Sequence, residues 1–355
     1  MYVKITGINK RFGDFPAVQD ATFTIRRGAL AALLGPSGSG KTTLLRMIAG
    51  LEHPDSGDIV VDDRRLNDIA PSQRGVGFVF QHYALFRYMT VFDNIAFGLK
   101  VKKMPRAAIR QRVEELLTLV GMAGLAKRYP AQLSGGQRQR VAFARAIAPS
   151  PHLLLLDEPF AAIDAKVRRE LRVWLRDMVG KLNLTSIFVT HDQDEAIEVA
   201  DEIIVTNQGR VEQRGAPVEL YRAPATPFVT GFIGDSIQLD NCQLIKGFEE
   251  LGPVPGAVRP EFIGVFHPEA EIPYANSAID AKVVRLAFRG DTFEVGLDLR
   301  GCPLTARYAL DSRPIAVGEI VKVLVWRLYA FTGERVALVN NNCTGDHPQG
   351  YSYVI

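Results

Sequence analysis

Residues 30–42 read Leu30-Ala-Ala-Leu-Leu-Gly-Pro-Ser-Gly-Ser-Gly-Lys41-Thr42, an apolar run that enters a glycine-rich loop ending in Lys-Thr. With the amphipathic segment Thr43-Leu-Leu-Arg-Met-Ile48 behind it, the pattern GxxxxGK[ST] predicts a strand, a phosphate-binding loop and a helix. The glycines let successive backbone N–H groups surround a phosphate, and the helix start adds its positive dipole. The lysine of such a loop reaches the β- and γ-phosphates, and the threonine hydroxyl ligates Mg²⁺. The residues predicted to hold the nucleotide are Gly35, Pro36, Ser37, Gly38, Ser39, Gly40, Lys41, Thr42 and Thr43.

A second apolar run, Leu153-Leu-Leu-Leu156, ends in Asp157 and Glu158. Adjacent residues of a strand point to opposite faces, so the two carboxylates are expected to have different roles. Asp157 is predicted to join the Mg²⁺ shell, and Glu158 to polarise the attacking water as general base. Charged residues commonly close strands, so this run carries weight only together with the phosphate loop.

A third motif, Leu133-Ser-Gly-Gly-Gln137, precedes the helical run 138–148. Its hydroxyl and glycine N–H groups are predicted to lie at another positive helix end, which is a second phosphate-facing surface. A simple P-loop kinase or GTPase needs one such surface. A composite site between two chains needs both.

Composition bounds the function classes. The 355 residues are 47% hydrophobic and 23% charged, which is typical of globular domains, and the length suggests two of them. The net charge of +3 offers no bulk electrostatic attraction for nucleic acid. Cys242, Cys302 and Cys343 stand far apart and indicate neither a zinc site nor a disulfide framework. The sequence shows no signal peptide and no membrane-spanning run, which favours a cytosolic or peripheral protein.

The pattern along the chain predicts an α/β layer around a mostly parallel sheet up to about residue 215. Within it, residues 165–182 are predicted to form a surface helix whose basic face is solvated. The proline-marked stretch 215–240 reads as a connector and suggests domains 1–235 and 236–355. Short β-like runs at 279–288, 292–299, 304–309 and 319–326 predict a small antiparallel barrel or sandwich.

In the order and spacing of these motifs, residues 1–235 resemble the ATP-binding subunit of an ABC transporter of the importer type. The resemblance implies a P-loop ATPase domain with a helical subdomain, and a head-to-tail homodimer that binds two ATP molecules with Mg²⁺. One protomer would supply the phosphate loop of each site, and its partner would supply Ser134, Gly135, Gly136 and Gln137, with Asp164 nearby.

The same resemblance assigns three isolated residues. Phe12 in KRFG would stack on adenine, Gln81 in FVFQ would sense Mg²⁺ and the membrane subunits, and His191 in FVTHD would contact the γ-phosphate. Catalysis is thus expected from Glu158, His191 and Gln81, and metal binding from Thr42, Gln81 and Asp157. Taken singly, an aromatic near a strand end, a loop glutamine and a strand-end histidine are each ordinary structural residues.

Two features leave alternatives open. The segment Ala161-Ala-Ile-Asp164 lacks the serine of the family's usual SALD, which puts a polar contact across the dimer in doubt. His82, Tyr83 and Phe86 follow Gln81 where the family receives a helix of the membrane subunit, and a local core is the other interpretation.

The C-terminal part, with Val258-Arg-Pro-Glu261, is similar to the OB/TOBE-like β-barrel regulatory domain of importer ATPases, and a plain dimerisation or stabilising role is the alternative. In its fullest stretches the chain resembles sulfate/thiosulfate importer ATPases, which implies two permease subunits, an indirectly contacted solute-binding protein and the cytoplasmic face of the inner membrane. Import of ferric iron, polyamine or sugar stays open. So does a different class, a soluble ABC ATPase or nucleotide-sensing regulator.

Overall fold

A computed structural model describes residues 2–161, 163–272 and 274–343 of the chain. The chain divides between Val218 and Glu219 into two compact units, each of which is described by itself. Of the segment 161–164, Ala162 lies outside the described residues.

The described residues of the first unit form ten strands and six α-helices. The strands are β1 (Val3–Phe12), β2 (Phe15–Ile25), β3 (Leu30–Leu34), β4 (Ser56–Val61), β5 (Arg64–Arg65), β6 (Val76–Val79), β7 (Leu153–Asp157), β8 (Thr185–Thr190), β9 (Glu202–Asn207) and β10 (Arg210–Gly215). The helices are α1 (Lys41–Ala49), α2 (Val91–Val101), α3 (Arg106–Leu119), α4 (Gly135–Ile147), α5 (Ala165–Leu182) and α6 (Gln193–Val199), with 3₁₀ turns at Pro71–Gln73 and Pro130–Gln132.

A six-stranded sheet in the order β10-β9-β3-β8-β7-β6 forms the centre of this unit. Strands β9, β3, β8, β7 and β6 run parallel, and β10 is antiparallel to β9. Every residue of β3, β7 and β8 is buried, as expected for parallel strands covered on both faces. The predicted mostly parallel α/β sheet is confirmed. Its parallel strands end at one edge, where Leu34 pairs with Thr190 and Asp157 with Val189.

Two smaller assemblies complete the first unit. An antiparallel sheet in the order β2-β1-β4-β5 contains the β1–β2 hairpin, in which β1 ends at Phe12 and β2 begins at Phe15. Helices α2, α3 and α4 contact one another and form the expected helical subdomain. Apolar faces hold this group together, with Ile95, Val113 and Phe143 almost fully buried.

Helix α5 has the predicted bounds, and its basic residues Lys166, Arg169 and Arg176 are exposed as predicted, but the prediction of a solvated basic face was wrong for Arg172. The Arg172 side chain is only 13% exposed and forms an ion pair with Glu198 at 2.7 Å. The reason is tertiary: α5 packs against α6, whose acidic residues come from a separate stretch of sequence.

The connector expected between residues 215 and 240 holds two short helices, α7 (Pro217–Arg222) and α8 (Pro227–Phe232). Both begin at a proline. Proline has no N–H to donate and a fixed φ, which suits the first position of a helix, so within the predicted connector these prolines start short helices.

The second unit is built on two antiparallel sheets. Its strands are β11 (Ile237–Leu239), β12 (Gly256–Val258), β13 (Ile263–Phe266), β14 (Ile279–Phe288), β15 (Thr292–Leu299), β16 (Cys302–Ala309), β17 (Ile320–Val325), β18 (Arg327–Thr332) and β19 (Arg335–Asn340). Short 3₁₀ turns lie at Cys242–Leu244, Glu249–Leu251, Pro260–Phe262 and Ala275–Ser277. One sheet has the order β11-β12-β18-β19 and the other β13-β17-β14-β15-β16.

The five-stranded sheet is nearly closed, because β13 and β16, the strands at its two edges, contact each other. Its inward residues, among them Val283, Leu297 and Val323, form one apolar core. The predicted all-β, barrel-like fold of the C-terminal part is confirmed, and the predicted strands 279–288 and 292–299 have the observed bounds.

Candidate active site

The phosphate loop, Gly35–Thr42, leaves the end of β3 and leads into α1. The Lys41 ammonium is nearly buried and donates to the carbonyl oxygens of Gly35 at 2.8 Å and Pro36 at 2.7 Å. Burial lowers the pKa of Lys41, while the charge of Glu158 opposes that shift. Among the described residues no carboxylate lies within 4 Å of this ammonium. The loop therefore presents a desolvated cation that an anion would stabilise.

Two glycines of the loop sit where no side chain fits. A Cβ on Gly35 would lie 2.1 Å from the carbonyl oxygen of Thr206. Gly40 has φ +90°, and a Cβ there would lie 2.4 Å from the carbonyl oxygen of Ala17. Ser39 also links the loop to β9, because its hydroxyl lies 2.9 Å from that of Thr206. The loop is thus held tightly against β9 and β2.

Asp157 lies at the end of β7, and its Oδ1 accepts a hydrogen bond from the Thr42 hydroxyl at 3.3 Å. Burial raises the pKa of the Asp157 carboxyl, against the effect of the Thr42 hydrogen bond. Hydroxyl and carboxylate oxygens are the ligands that Mg²⁺ prefers, and the ion usually takes its remaining ligands from phosphates and water. The Thr42–Asp157 pair therefore fits a nucleotide-bound Mg²⁺. Gln81, the third predicted ligand, forms a hydrogen bond to Glu158 and not to either member of this pair.

Glu158 follows Asp157 with φ 45°, a left-handed conformation that costs energy for a residue with a side chain. The turn directs its carboxylate toward two other strand ends. Gln81 Nε2 donates to Glu158 Oε2 at 2.7 Å, and His191 Nδ1 lies 3.5 Å from Glu158 Oε1. The structure thus brings the three predicted catalytic residues together. They follow β6, β7 and β8, which are neighbours in the sheet.

The signature segment, Ser134–Gln137, forms the start of α4. Ser134 Oγ accepts from the Gln137 N–H at 3.3 Å, and Gln137 Oε1 accepts from the Ser134 N–H at 3.0 Å. This capping box orders the helix start without help from the rest of the chain. Ser134 is exposed, and a Cβ on Gly135 would meet no atom within 4 Å. A Cβ on Gly136 would instead lie 3.1 Å from Val167.

Two further predicted residues, Phe12 and Asp164, are exposed. Phe12 is 48% exposed, and the Lys10 ammonium lies 5.3 Å from its ring centroid. Asp164 caps α5 by accepting a hydrogen bond from the Val167 N–H at 3.0 Å. Both residues have their own structural contacts and keep a surface free for a ligand.

Sequence reasoning missed Arg145, which lies on α4. Its guanidinium donates to the carbonyl oxygens of Tyr83 at 2.8 Å and Ala84 at 2.7 Å, in a turn where both residues have positive φ. The same side chain lies 5.5 Å from the ring centroid of Phe86, which packs on Phe97 at 4.6 Å. Phe86 thus has a local partner while 39% exposed. No sequence signal links Arg145 to this turn, because the two are separated by about sixty residues and meet only through the tertiary fold.

Comparison with known proteins gives the family. A sequence model of the ABC transporter family matches residues 18–161, and a TOBE domain model matches residues 256–326. A sulfate/thiosulfate import ATP-binding protein CysA of Gloeobacter violaceus is 51% identical over 312 residues, which cover 88% of this chain and 89% of the relative. The protein of the same name from Synechocystis sp. is 53% identical over 266 residues, covering 74% of this chain and 75% of the relative.

The chain belongs to the ABC transporter ATP-binding family. A solved structure of a dimeric ATP-binding cassette, in a post-hydrolysis state with ADP and Pi, is 32% identical with a TM-score of 0.54. The match covers 60% of this chain and 98% of the solved chain. The resemblance drawn from the sequence motifs is confirmed, and this ABC chain is an ATP-binding protein. No helix among its described residues has both the length and the apolar character needed to cross a bilayer.

Proposed function

We propose that this ABC ATPase hydrolyses Mg-ATP to drive solute import, with sulfate or thiosulfate as the transported solute. The observation that carries the catalytic part is the convergence of Gln81, Glu158 and His191 beside the Thr42–Asp157 pair. The solute is inferred from the relatives, whose names specify sulfate/thiosulfate import. No residue of this chain is expected to touch the solute.

Each residue of the cluster has a role that follows from its position. Lys41 neutralises charge on the β- and γ-phosphates. Glu158 takes a proton from the attacking water, and its hydrogen bond to Gln81 and its contact with His191 hold the carboxylate in place. His191 contacts the γ-phosphate. Thr42 and Asp157 would hold Mg²⁺ together with Gln81, through the amide oxygen that the hydrogen bond to Glu158 does not use, and the ion would neutralise phosphate charge.

We infer that the complete site is shared by two copies of the chain arranged head to tail. The phosphate loop carries the catalytic groups, whereas the signature segment presents an exposed helix start with open space above Gly135. A phosphate bound there would receive N–H groups and a helix dipole from the partner copy. The dimeric neighbour with ADP and Pi supports this arrangement.

Mixing two inactive variants tests the shared site. Lys41→Ala removes the phosphate loop cation, and Ser134→Glu introduces a negative charge that repels phosphate but is itself favourable at a helix N-terminus. In a mixed dimer, the phosphate loop of one variant meets the intact signature segment of the other. Random mixing should restore about a quarter of wild-type ATPase activity, because half of the dimers then hold one good site. A mixture as inactive as its parents would contradict a shared site.

We propose further that the dimer lies on the cytoplasmic face of the inner membrane, bound to two permease subunits. Residues 1–235 would act as the ATPase domain and 236–355 as a regulatory or dimerisation domain. The exposed Phe86 and Tyr88, close in sequence to Gln81, support docking of a permease segment there. A solute-binding protein would contact the permeases and not this chain.

The solute is tested on the complex purified through a tag on this chain. With the permease subunits and the candidate binding proteins in vesicles, sulfate or thiosulfate should stimulate ATP hydrolysis, and ferric iron, a polyamine or a sugar should not. Stimulation by one of the latter solutes would reassign the substrate. Hydrolysis that never responds to permeases would favour a soluble ATPase or a nucleotide-sensing regulator.

A further inference from the structure

A cluster of two arginines and three carboxylates joins α5 to α6 beside His191. Arg172 Nη1 contacts Glu198 Oε2 at 2.7 Å, and Arg172 Nη2 lies 3.8 Å from both Asp192 Oδ2 and Glu195 Oε1. Arg168 Nη1 lies 3.9 Å from the same oxygen of Asp192. Arg172 is therefore the one member of this cluster that faces all three carboxylates.

The centre of the cluster is shielded from water. The side chains of Arg172 and Glu195 are 13% and 8% exposed, against 41% for Glu198. Burial raises the pKa of Glu195, and the Thr190 hydroxyl donates to its Oε2 at 2.5 Å. A carboxylate this deep needs a close cation, because removing one partner of a buried pair leaves the other charge uncompensated.

The cluster holds both chain neighbours of His191. Thr190 ends β8, and its Oγ1 accepts a hydrogen bond from the Asp192 N–H at 3.0 Å. Asp192 caps α6 by accepting from the Glu195 N–H at 3.2 Å. The His191 side chain itself is 60% exposed, so packing around its ring does little to place it. These hydrogen bonds of Thr190 and Asp192 instead hold the backbone on both sides of it.

The other side of the cluster reaches the start of α5. Arg168 Nη2 donates to the carbonyl oxygen of Ile163 at 3.0 Å, directly before the helix cap Asp164. The arginines on this face thus connect the turn at residues 163–164 to the turn at residues 190–192. Both turns carry residues assigned above to the nucleotide site.

We propose that Arg172 is a positioning residue for ATP hydrolysis, which fixes the His191 turn against the helix that begins at Asp164. The proposal rests on the ATPase function inferred above and adds a residue that touches neither nucleotide nor metal. Displacing His191 slightly should slow the chemical step while leaving ATP binding to the phosphate loop intact. Small displacements of catalytic groups commonly cost about ten- to a hundredfold in rate.

The test uses the full-length chain with Mg-ATP and three variants, Arg172→Lys, Arg172→Met and Arg176→Met. Arg176 is the matched control, since it lies one turn further along α5, donates to the Glu198 carbonyl oxygen at 2.7 Å and forms no hydrogen bond or ion pair with the described residues 190–192. Both Arg172 variants should lower kcat by about ten- to a hundredfold and change the KM for ATP less than about twofold. Arg172→Lys keeps the charge next to Glu195, so it remains informative should Arg172→Met fold poorly.

A double variant separates positioning from general stability. In a His191→Ala background, Arg172→Lys should cause no further loss of kcat, because residues that act through one group are not additive. A further loss of similar size would overturn the proposal, as would a full wild-type kcat in Arg172→Lys or an equal loss in Arg176→Met. If the wild-type chain does not hydrolyse ATP, both the proposed function and this inference are overturned. If the wild type hydrolyses ATP and the Arg172 variants have the same kcat, only the inference about Arg172 is overturned and the proposed function stands.

Discussion

The phosphate loop and the signature segment both place glycines at the start of a helix, yet the chain surrounds them differently. Around Gly35 the backbone of Thr206 leaves no space for a Cβ, and three neighbouring parallel strand ends bring together Gln81, Glu158 and His191, the predicted catalytic residues. Around Gly135 the space is open, and Ser134 and Gln137 satisfy each other. Under the proposed function, the first region would hold the reacting groups, and the second would cover the nucleotide bound to the partner copy.

The contrast between the two regions predicts that the chemistry takes place on the phosphate loop side, and Glu158→Gln tests this prediction most strongly. Loss of the general base should lower kcat by about 10²–10⁴-fold while ATP binding persists, because the amide keeps the shape but cannot accept the proton. Steady-state ATPase assays and nucleotide titration measure the two effects. Brisk hydrolysis in this variant would remove Glu158 from its assigned role.

Ligand-induced stabilisation tests whether the phosphate loop binds ATP without the signature segment. With free ATP at about a hundred times its Kd, the free energy of unfolding should rise by about 2.7 kcal/mol in the wild type and in Ser134→Glu. Lys41→Ala should show no such rise at the same ATP concentration. Thermal or urea unfolding at a protein concentration too low for dimers gives the readout. Loss of the effect in Ser134→Glu would mean that one copy already uses both regions.

Alanine at the two glycines tests the difference in crowding. Gly35→Ala should lower the free energy of unfolding by about 1–3 kcal/mol, because its Cβ collides with a backbone oxygen of β9 that cannot move freely. Gly135→Ala, with no atom to meet, should stay within about 0.5 kcal/mol of the wild type or be slightly more stable. Urea unfolding measures both. Equal effects at the two positions would erase the structural contrast.

The smallest expected effect concerns the base of the nucleotide. Phe12→Ala should weaken ATP binding by about tenfold, since stacking of a base on an aromatic ring contributes about 1–3 kcal/mol. Stability should change by less than about 0.5 kcal/mol, because the side chain is already half exposed. Phe15, which pairs with Phe12 across the hairpin and is 58% exposed, offers the control Phe15→Ala. An equal loss of affinity in both variants would argue against specific stacking by Phe12.

Local signals in the sequence were enough to predict several elements. The loop Gly35–Thr42 needs glycines and a following helix, and both requirements are visible in consecutive residues. Helix α5 and the strands β14 and β15 have their predicted bounds because their apolar spacing and turn residues are local properties. The sequence did not predict the short helices that begin at Pro217 and Pro227, because a proline that starts a helix and a proline in a linker look the same without the residues packed around them.

The sequence by itself determined the chemistry of this protein: a phosphate loop, a strand ending in Asp157 and Glu158, and a signature segment, each recognisable within a few residues. Only the tertiary structure decided which groups meet. Gln81 and His191 converge on Glu158 because β6, β7 and β8 are neighbours in the sheet. Arg172 is largely shielded from solvent because α6 packs beside it. The physical reason is that residue type and spacing specify local conformation, whereas burial and ion pairing depend on the surface that a distant part of the chain brings into contact.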